Sequence, residues 1–204
     1  MFKRGVISLQ IDRLRLLLKQ NNGLVTRQQV SNDKIDLHLI GDLIHKGKLE
    51  RVDRGVYIDP KIFEDDMFIL QYRFNKGVFF KDTALFLHGM IDRTPGTYQM
   101  NFPANYHPMA IGRYPVKAYR QKADWQTLGV EQVMTPGRHL VRVYNKERTL
   151  CDIIRTRDSS DAETIKQAMV SYAQMTDKNL QRLSEYAAIF KVQDKIRLYM
   201  GVLL

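Results

Sequence analysis

The sequence predicts an α+β fold, and three observations carry that expectation. Helical and strand-like periods alternate within the first sixty residues, short period-two segments fill 97–144, and three helical patterns close the chain. At the start, Ile11, Leu14, Leu17 and Leu18 recur at helical spacing. Asn21-Asn22-Gly23 stops that helix, with Gly23 free to take the positive φ of a C-cap. Thr26 is a good N-cap for a short second helix through Val30. After Ser31-Asn32-Asp33 a third helix shows Leu37, Ile40, Leu43 and Ile44 on one face, and Gly47 ends it. Leu49–Asp53 and Val56–Ile58 alternate like two strands joined at Arg54-Gly55, a turn that wants positive φ at Gly55. Helix, turn, helix, helix and hairpin predict a winged helix-turn-helix, a scaffold for setting one helix in a DNA groove.

Asp59-Pro60-Lys61 closes the second wing strand, so domains are expected at 1–60 and 61–204. Ile62–Phe74 reads as a linking helix with Phe63, Met67, Leu70 and Phe74 near one face, and Thr83–Met90 as another, ended by Gly89 and Thr94-Pro95-Gly96. Strands are expected at Thr97–Phe102, Val116–Gln121, Gln132–Thr135 and His139–Tyr144, with Pro136-Gly137 turning the last two into a hairpin. Helical patterns follow at Lys146–Arg157, Asp161–Met175, Asn179–Phe190 and Val192–Leu204. The second domain is therefore expected to be mixed, with antiparallel strands and a C-terminal helical bundle.

Composition narrows the function classes. No stretch approaches the roughly 18 apolar residues of a membrane span. Met1–Gly5 leads into an amphipathic helix and does not read as a signal peptide. Cys151 is the single cysteine, which excludes an intrachain disulfide framework and a Cys-based zinc finger and points to a reducing cytoplasm. The net charge of +10 and pI near 9.7 point to a polyanionic partner. Residues 1–60 carry eleven Lys and Arg against seven Asp and Glu, and the remainder twenty-one against fifteen. The basic excess is thus shared between both halves rather than gathered at one end.

The candidate DNA-contacting residues follow from the scaffold. Early residues of the third helix meet base edges, here Asp33, Lys34, Asp36, Leu37 and His38. Lys34 can reach guanine acceptors or a phosphate; Asp36 can accept from cytosine N4 or orient a base, and Asp33 is the better candidate to cap the helix. Arg27 and Gln28, opening the second helix, sit where backbone contacts to phosphate are usual. Arg51 and Arg54 flank the wing turn, where they can contact phosphates or enter a narrow minor groove. A solvated helix of a protein-binding winged module is the competing reading. Arg113, Lys117, Arg120 and Lys122 form a basic run, and Arg138, Arg142, Lys146 and Arg148 a second cluster. These are candidates for a second DNA surface or for solvated faces, and Arg148 and Asp152, four apart on a helix, can pair with each other.

Catalytic signatures are missing from the sequence. It has no phosphate-cradling glycine loop, no His-Glu-x-x-His and no nucleophile elbow. His38, His45, His88, His107 and His139 lack metal-ligand spacing. Cys151 reads as a buried structural thiol, and Glu64-Asp65-Asp66 as an acidic first helical turn. No catalytic residue, metal or cofactor is expected, and the chain does not read as an enzyme.

Leu24-Val25-Thr26-Arg27-Gln28-Gln29-Val30 and Gly47–Tyr57 resemble the N-terminal module of the AbiEi-like antitoxins. In the second domain the resemblance rests on Thr83-Ala84-Leu85, Leu87-His88-Gly89-Met90, Gly129-Val130 and above all Tyr144-Asn145-Lys146-Glu147-Arg148-Thr149-Leu150-Cys151-Asp152. These antitoxins belong to type IV toxin–antitoxin systems of bacterial abortive infection, which confer phage resistance. The resemblance implies binding to operator inverted repeats in the chain's own promoter and repression of that promoter. It also implies antagonism of a nucleotidyltransferase-like toxin without a stable complex. The second domain would supply the antitoxicity and add basic surface for DNA. A monomer in solution, with more than one copy on double-stranded DNA, is the expected assembly. The acids near the third helix depart from any pattern that would let a base preference be carried over. Competing readings are an effector-sensing winged-helix transcription factor without a toxin, an accessory subunit, and a nuclease with dispersed carboxylates.

Overall fold

A computed structural model describes residues 2–155 and 159–203. The expected helix end at Arg157, the first residue Met1 and the last residue Leu204 lie outside the described residues. The chain forms two compact units: Met1–Arg73 with Met134–His139, and Phe74–Val133 with Leu140–Leu204.

The first unit opens with helix α1 (Phe2–Gln20), followed by strand β1 (Leu24–Thr26), helices α2 (Arg27–Asn32) and α3 (Leu37–His45), and strands β2 (Glu50–Asp53) and β3 (Val56–Ile58). The strand order is β1-β3-β2, with Val25 opposite Tyr57 and Arg51 opposite Tyr57 on the other side. This order of helices and strands is the one expected of a winged helix-turn-helix. β1 is the element missing from the sequence reading, because three residues are too few to show a period. Leu14 and Leu17 of α1, Val25, Val30, Ile35, Ile40, Leu43, Leu49 and Tyr57 make the core, so the apolar faces expected for the first and third helices meet in one cluster, except that Leu37 of the expected third-helix face is exposed. Gly23 (φ 82°) and Gly55 (φ 77°) take the left-handed conformations their turns require.

Helix α4 (Asp66–Arg73) starts four residues later than expected. The Asp65 carboxylate accepts from the Phe68 amide at 3.1 Å and so sets the start, leaving Phe63 99% exposed instead of on a packed face. Ile69 of α4 packs with Leu24, Val56 and Ile58, and Arg73 pairs with Asp53 at 2.8 Å. These contacts keep α4 in the first unit and move the division from the expected residue 60 to Arg73.

The second unit holds β4 (Val78–Phe79), α5 (Lys81–Leu87), β5 (Tyr98–Pro103), a 3-10 turn (Ile111–Arg113), β6 (Val116–Gln121) and α6 (Ala123–Thr127). Then come β7 (Val130–Met134, its last residue in the first unit), β8 (Leu140–Tyr144), α7 (Lys146–Ile153), α8 (Ala162–Gln174), α9 (Leu180–Phe190) and α10 (Gln193–Leu203). The sheet order is β6-β5-β4-β8-β7. The strands were expected to be antiparallel, and the sheet is instead mixed: β4 runs antiparallel to β5, but β5–β6 and β4–β8 are parallel. The β5–β6 connection is long enough for a crossover, and the two-residue β4 slots between β5 and β8. Leu85, Leu150, Ile153, Met169, Tyr172, Leu183 and Phe190 join α5 and α7–α9 in the largest core, to which α10 adds Ile196 and Met200.

Candidate nucleic-acid interface

Local chemistry fixes the start of α2. Thr26 caps it, accepting from Gln29 N while the Gln29 side chain accepts from Thr26 N at 2.8 Å, a reciprocal capping box. The Arg27 amide donates to Gly55 O at 2.7 Å, and a Cβ on Gly55 would come within 3.2 Å of Arg27 Cβ. The wing turn and the first residue of α2 are therefore held against each other, with Arg27, Gln28 and Arg54 all exposed. Asp53 is engaged by Arg73, and the exposed Arg51 Nε donates to Asp53 O at 3.4 Å.

Asp36, not Asp33, is the N-cap of α3. Its carboxylate accepts from His38 N at 2.9 Å, and its own amide donates to Gln10 Oε1 at 3.2 Å. Asp33 instead ends α2. The extended backbone of Asp36 (φ −68°, ψ 129°) is what a cap needs, and it ties the carboxylate to the helix instead of leaving it to read a base. Lys34 stands before the helix with φ 55°, exposed. Within α3, Leu37, His38, Asp42 and His45 are exposed, and Lys46 and Lys48 follow. Asp42, His45, Lys46 and Lys48 are exposed beyond the first turn, outside the residues expected from the sequence. Asp42 and His45 stand opposite Ile40 and Leu43 at helical spacing, which was the available signal for those two.

The second basic group is not gathered on one face. Strand alternation puts Lys117, Tyr119 and Gln121 on one side of β6 and Val116, Ala118 and Arg120 on the other. The Lys117 ammonium lies over Tyr119, whereas Arg120 Nε donates to Tyr106 O at 3.2 Å. Arg113 is exposed in the 3-10 turn, and Lys122 lies over Trp125. Arg138, at φ 64°, is exposed and belongs to the first unit.

Arg148 cannot form part of an outer surface. It is 0% exposed, Nε binds Asp152 at 2.6 Å, Nη1 donates to Trp125 O and Leu128 O, and Nη2 to Gln121 Oε1. Its guanidinium lies over the rings of Tyr144 and Phe190. Arg142 is partly buried and tied to the carbonyls of Asn75 and Gly77.

The motif 144–152 is an internal joint. Asn145 caps α7 by accepting from Arg148 N at 3.0 Å, and buried Glu147 accepts from Tyr172 Oη and Asn179 N. The Tyr144 hydroxyl takes a hydrogen bond from Asn101, and burial pushes its pKa up to about 12. A Cβ on Gly129 (φ 74°) would meet Arg148 Cβ at 3.1 Å, which explains a glycine beside this motif. His88 is held neutral, burial lowering its pKa, and donates Nε2–H to Tyr144 O at 2.7 Å. Cys151 is fully buried, and burial pushes its thiol up.

Among the described residues no cluster of three or more His, Cys, Asp or Glu is arranged to hold a metal, and no helix is long and apolar enough to cross a membrane. Residues 12–58 match the family model described as transcriptional regulator, AbiEi antitoxin. The resemblance read from the winged module is thus shown over those residues. Among solved structures, the crystal structure of the RV2827C protein from Mycobacterium tuberculosis is similar in fold, with a TM-score of 0.56 and 16% identity. The likeness covers 96% of this chain and 80% of that one. A comparison with curated proteins finds no match.

Proposed function

We propose that this chain is a type IV antitoxin that also represses its own promoter, binding inverted repeats there and counteracting a nucleotidyltransferase-like toxin without a stable complex. The observation that carries the reading is the family match over residues 12–58, lying on a winged helix-turn-helix. Arg27 and Arg54 are the proposed phosphate contacts, brought together by the bond from Arg27 N to Gly55 O. Gln28 and Arg51 extend that contact. His38 and Lys34 are the proposed base readers, with Asp36 serving them as the helix cap. Arg113, Lys117, Arg120, Lys122 and Arg138 are retained as additional phosphate contacts, whereas Arg142 and Arg148 act inside the fold. The protein performs no chemistry of its own in this reading, and it works in the cytoplasm as a monomer that loads in more than one copy on DNA.

Footprinting of the full chain on the DNA upstream of its gene tests the repressor half. Protection of an inverted repeat supports it, and uniform protection at all sequences contradicts it. Coexpression with the product of an adjacent nucleotidyltransferase-like gene tests the antitoxin half through rescue of growth.

A further inference from the structure

The second unit contains a cationic, ring-walled hollow of about 410 Å³ that shares Arg120 and Lys122 with the proposed DNA contacts but whose Lys81, Trp125 and Arg155 the DNA reading does not use. Lys81, Lys122 and Arg155 line it, together with Tyr119, Trp125 and Asp152. Its size falls in the range of small-molecule pockets, roughly 300–1,000 Å³.

Two features set this hollow apart from a merely basic surface. Lys81 is only 5% exposed and its backbone is left-handed (φ 49°), an unfavourable conformation for a residue with a side chain. Strain of this kind persists where the surroundings hold it and collects at ligand clamps. Beyond that, the cations stand against rings: Lys81 Nζ lies 4.8 Å from the Tyr119 centroid, Lys122 Nζ 4.9 Å and Arg155 Cζ 4.5 Å from that of Trp125. Asp152, the one acid among the described residues that line it, is held by Arg148 at 2.6 Å and by Arg155 at 3.4 Å, so its charge is offset from within.

We propose that this hollow binds a small phosphorylated ligand of the nucleotide class, with Lys81, Lys122 and Arg155 taking the phosphates and Tyr119 and Trp125 flanking the base. Ammonium and guanidinium donors suit phosphate oxygens, and an aromatic wall stacks a base whatever its edge. A bare anion would need the cations alone. The site lies in the second unit, so it can fail while operator binding by the first unit stands, and the reverse.

Trp125 is the chain's single tryptophan, which makes its fluorescence a direct probe. The full chain is titrated with ATP, GTP, guanosine and inorganic tripolyphosphate at low salt. The expected result is saturable quenching by at least one nucleotide, with tripolyphosphate weaker and guanosine inactive. Lys122→Ala, at an exposed position, should raise the nucleotide Kd roughly tenfold, the loss of one charge-assisted contact. Arg155→Gln should do the same, and its thermal unfolding shows whether loss of the Asp152 contact disturbs the fold. In that event Lys122→Ala alone decides. Absence of saturable binding at millimolar nucleotide overturns the proposal, as does a Kd unchanged in Lys122→Ala. Tripolyphosphate binding as tightly as either nucleotide overturns the nucleotide assignment.

Discussion

The imidazole of His139 donates from Nδ1 to Asp65 Oδ2 at 2.7 Å and from Nε2 to the carbonyl of Asn21 at 3.1 Å. A ring that donates both bonds at once carries a proton on each nitrogen, so this geometry favours the imidazolium form. Thr135 Oγ1 also donates to the same carboxylate oxygen, and the His139 amide donates to Thr135 Oγ1. Residues 134–139 are fastened in this way to the start of α4 within the first unit.

This arrangement makes stability pH-dependent with a definite sign. Burial works against the charged His139 ring, but Asp65 and the Asn21 carbonyl outweigh it and raise the pKa above the ordinary value of 6.5. A raised folded pKa means the contribution is fully present below the unfolded pKa and is lost as pH rises through the folded one. Urea midpoints should therefore fall from about pH 6.5 upward, and His139→Gln should remove that part of the slope. A midpoint that rises over this range in the parent chain would contradict the imidazolium assignment. Asp65→Ala, which strands the buried ring, should cost about 3–5 kcal/mol.

Arg148 is predicted to matter for folding and not for DNA. Arg148→Met leaves Asp152 buried without its main partner and should destabilise by about 3–5 kcal/mol. Arg148→Lys should recover little, since a single ammonium cannot replace a fork that serves Asp152, Gln121 and two carbonyls. Denaturant melts measure both. A stable Arg148→Met variant with a reduced salt slope of DNA binding would return the residue to the surface.

Asp36 is predicted to act as a cap. Asp36→Ala should destabilise by about 1 kcal/mol, with Asp36→Asn nearly neutral, because either side chain can accept from His38 N. Selection on randomised DNA sites should return the same preferred sequence for Asp36→Asn as for the parent. A changed preference would place the carboxylate at a base edge.

Most of the first unit was legible in the sequence, for a physical reason. Helices α1 and α3 carry apolar residues at a regular spacing, Gly23 ends the first and Gly55 turns the wing, and local chemistry decides these. The parts that failed depend on distant partners. β1 and β4, with three and two residues, are strands only because β3, β5 and β8 pair with them. Arg148 looked like one of a basic cluster, and only the rings and carbonyls around it reveal that it is enclosed. Asp65 looked like one of three acids in a helical turn, whereas His139, 74 residues away, makes it a buried partner. A fragment ended at residue 60 would lack α4 and Asp65, so its poor folding is expected and would say nothing about DNA.

Antitoxicity should separate from DNA contact. Arg54→Ala is expected to leave growth rescue by the coexpressed chain intact while weakening operator binding, since Arg54 belongs to the first unit and the 144–152 joint to the second. Rescue lost together with operator binding, in a variant that folds normally, would show that one surface serves both tasks.

The most direct test of the central claim is the salt dependence of binding to the upstream DNA by the full chain and by Arg27→Ala/Arg54→Ala. Each phosphate contact contributes about −0.9 to the slope of log K against log salt. The account predicts that the double substitution reduces the slope by about two, weakens binding at every sequence alike and leaves the preferred site unchanged. An unchanged slope and affinity would take the wing and the start of α2 out of the interface and contradict the account.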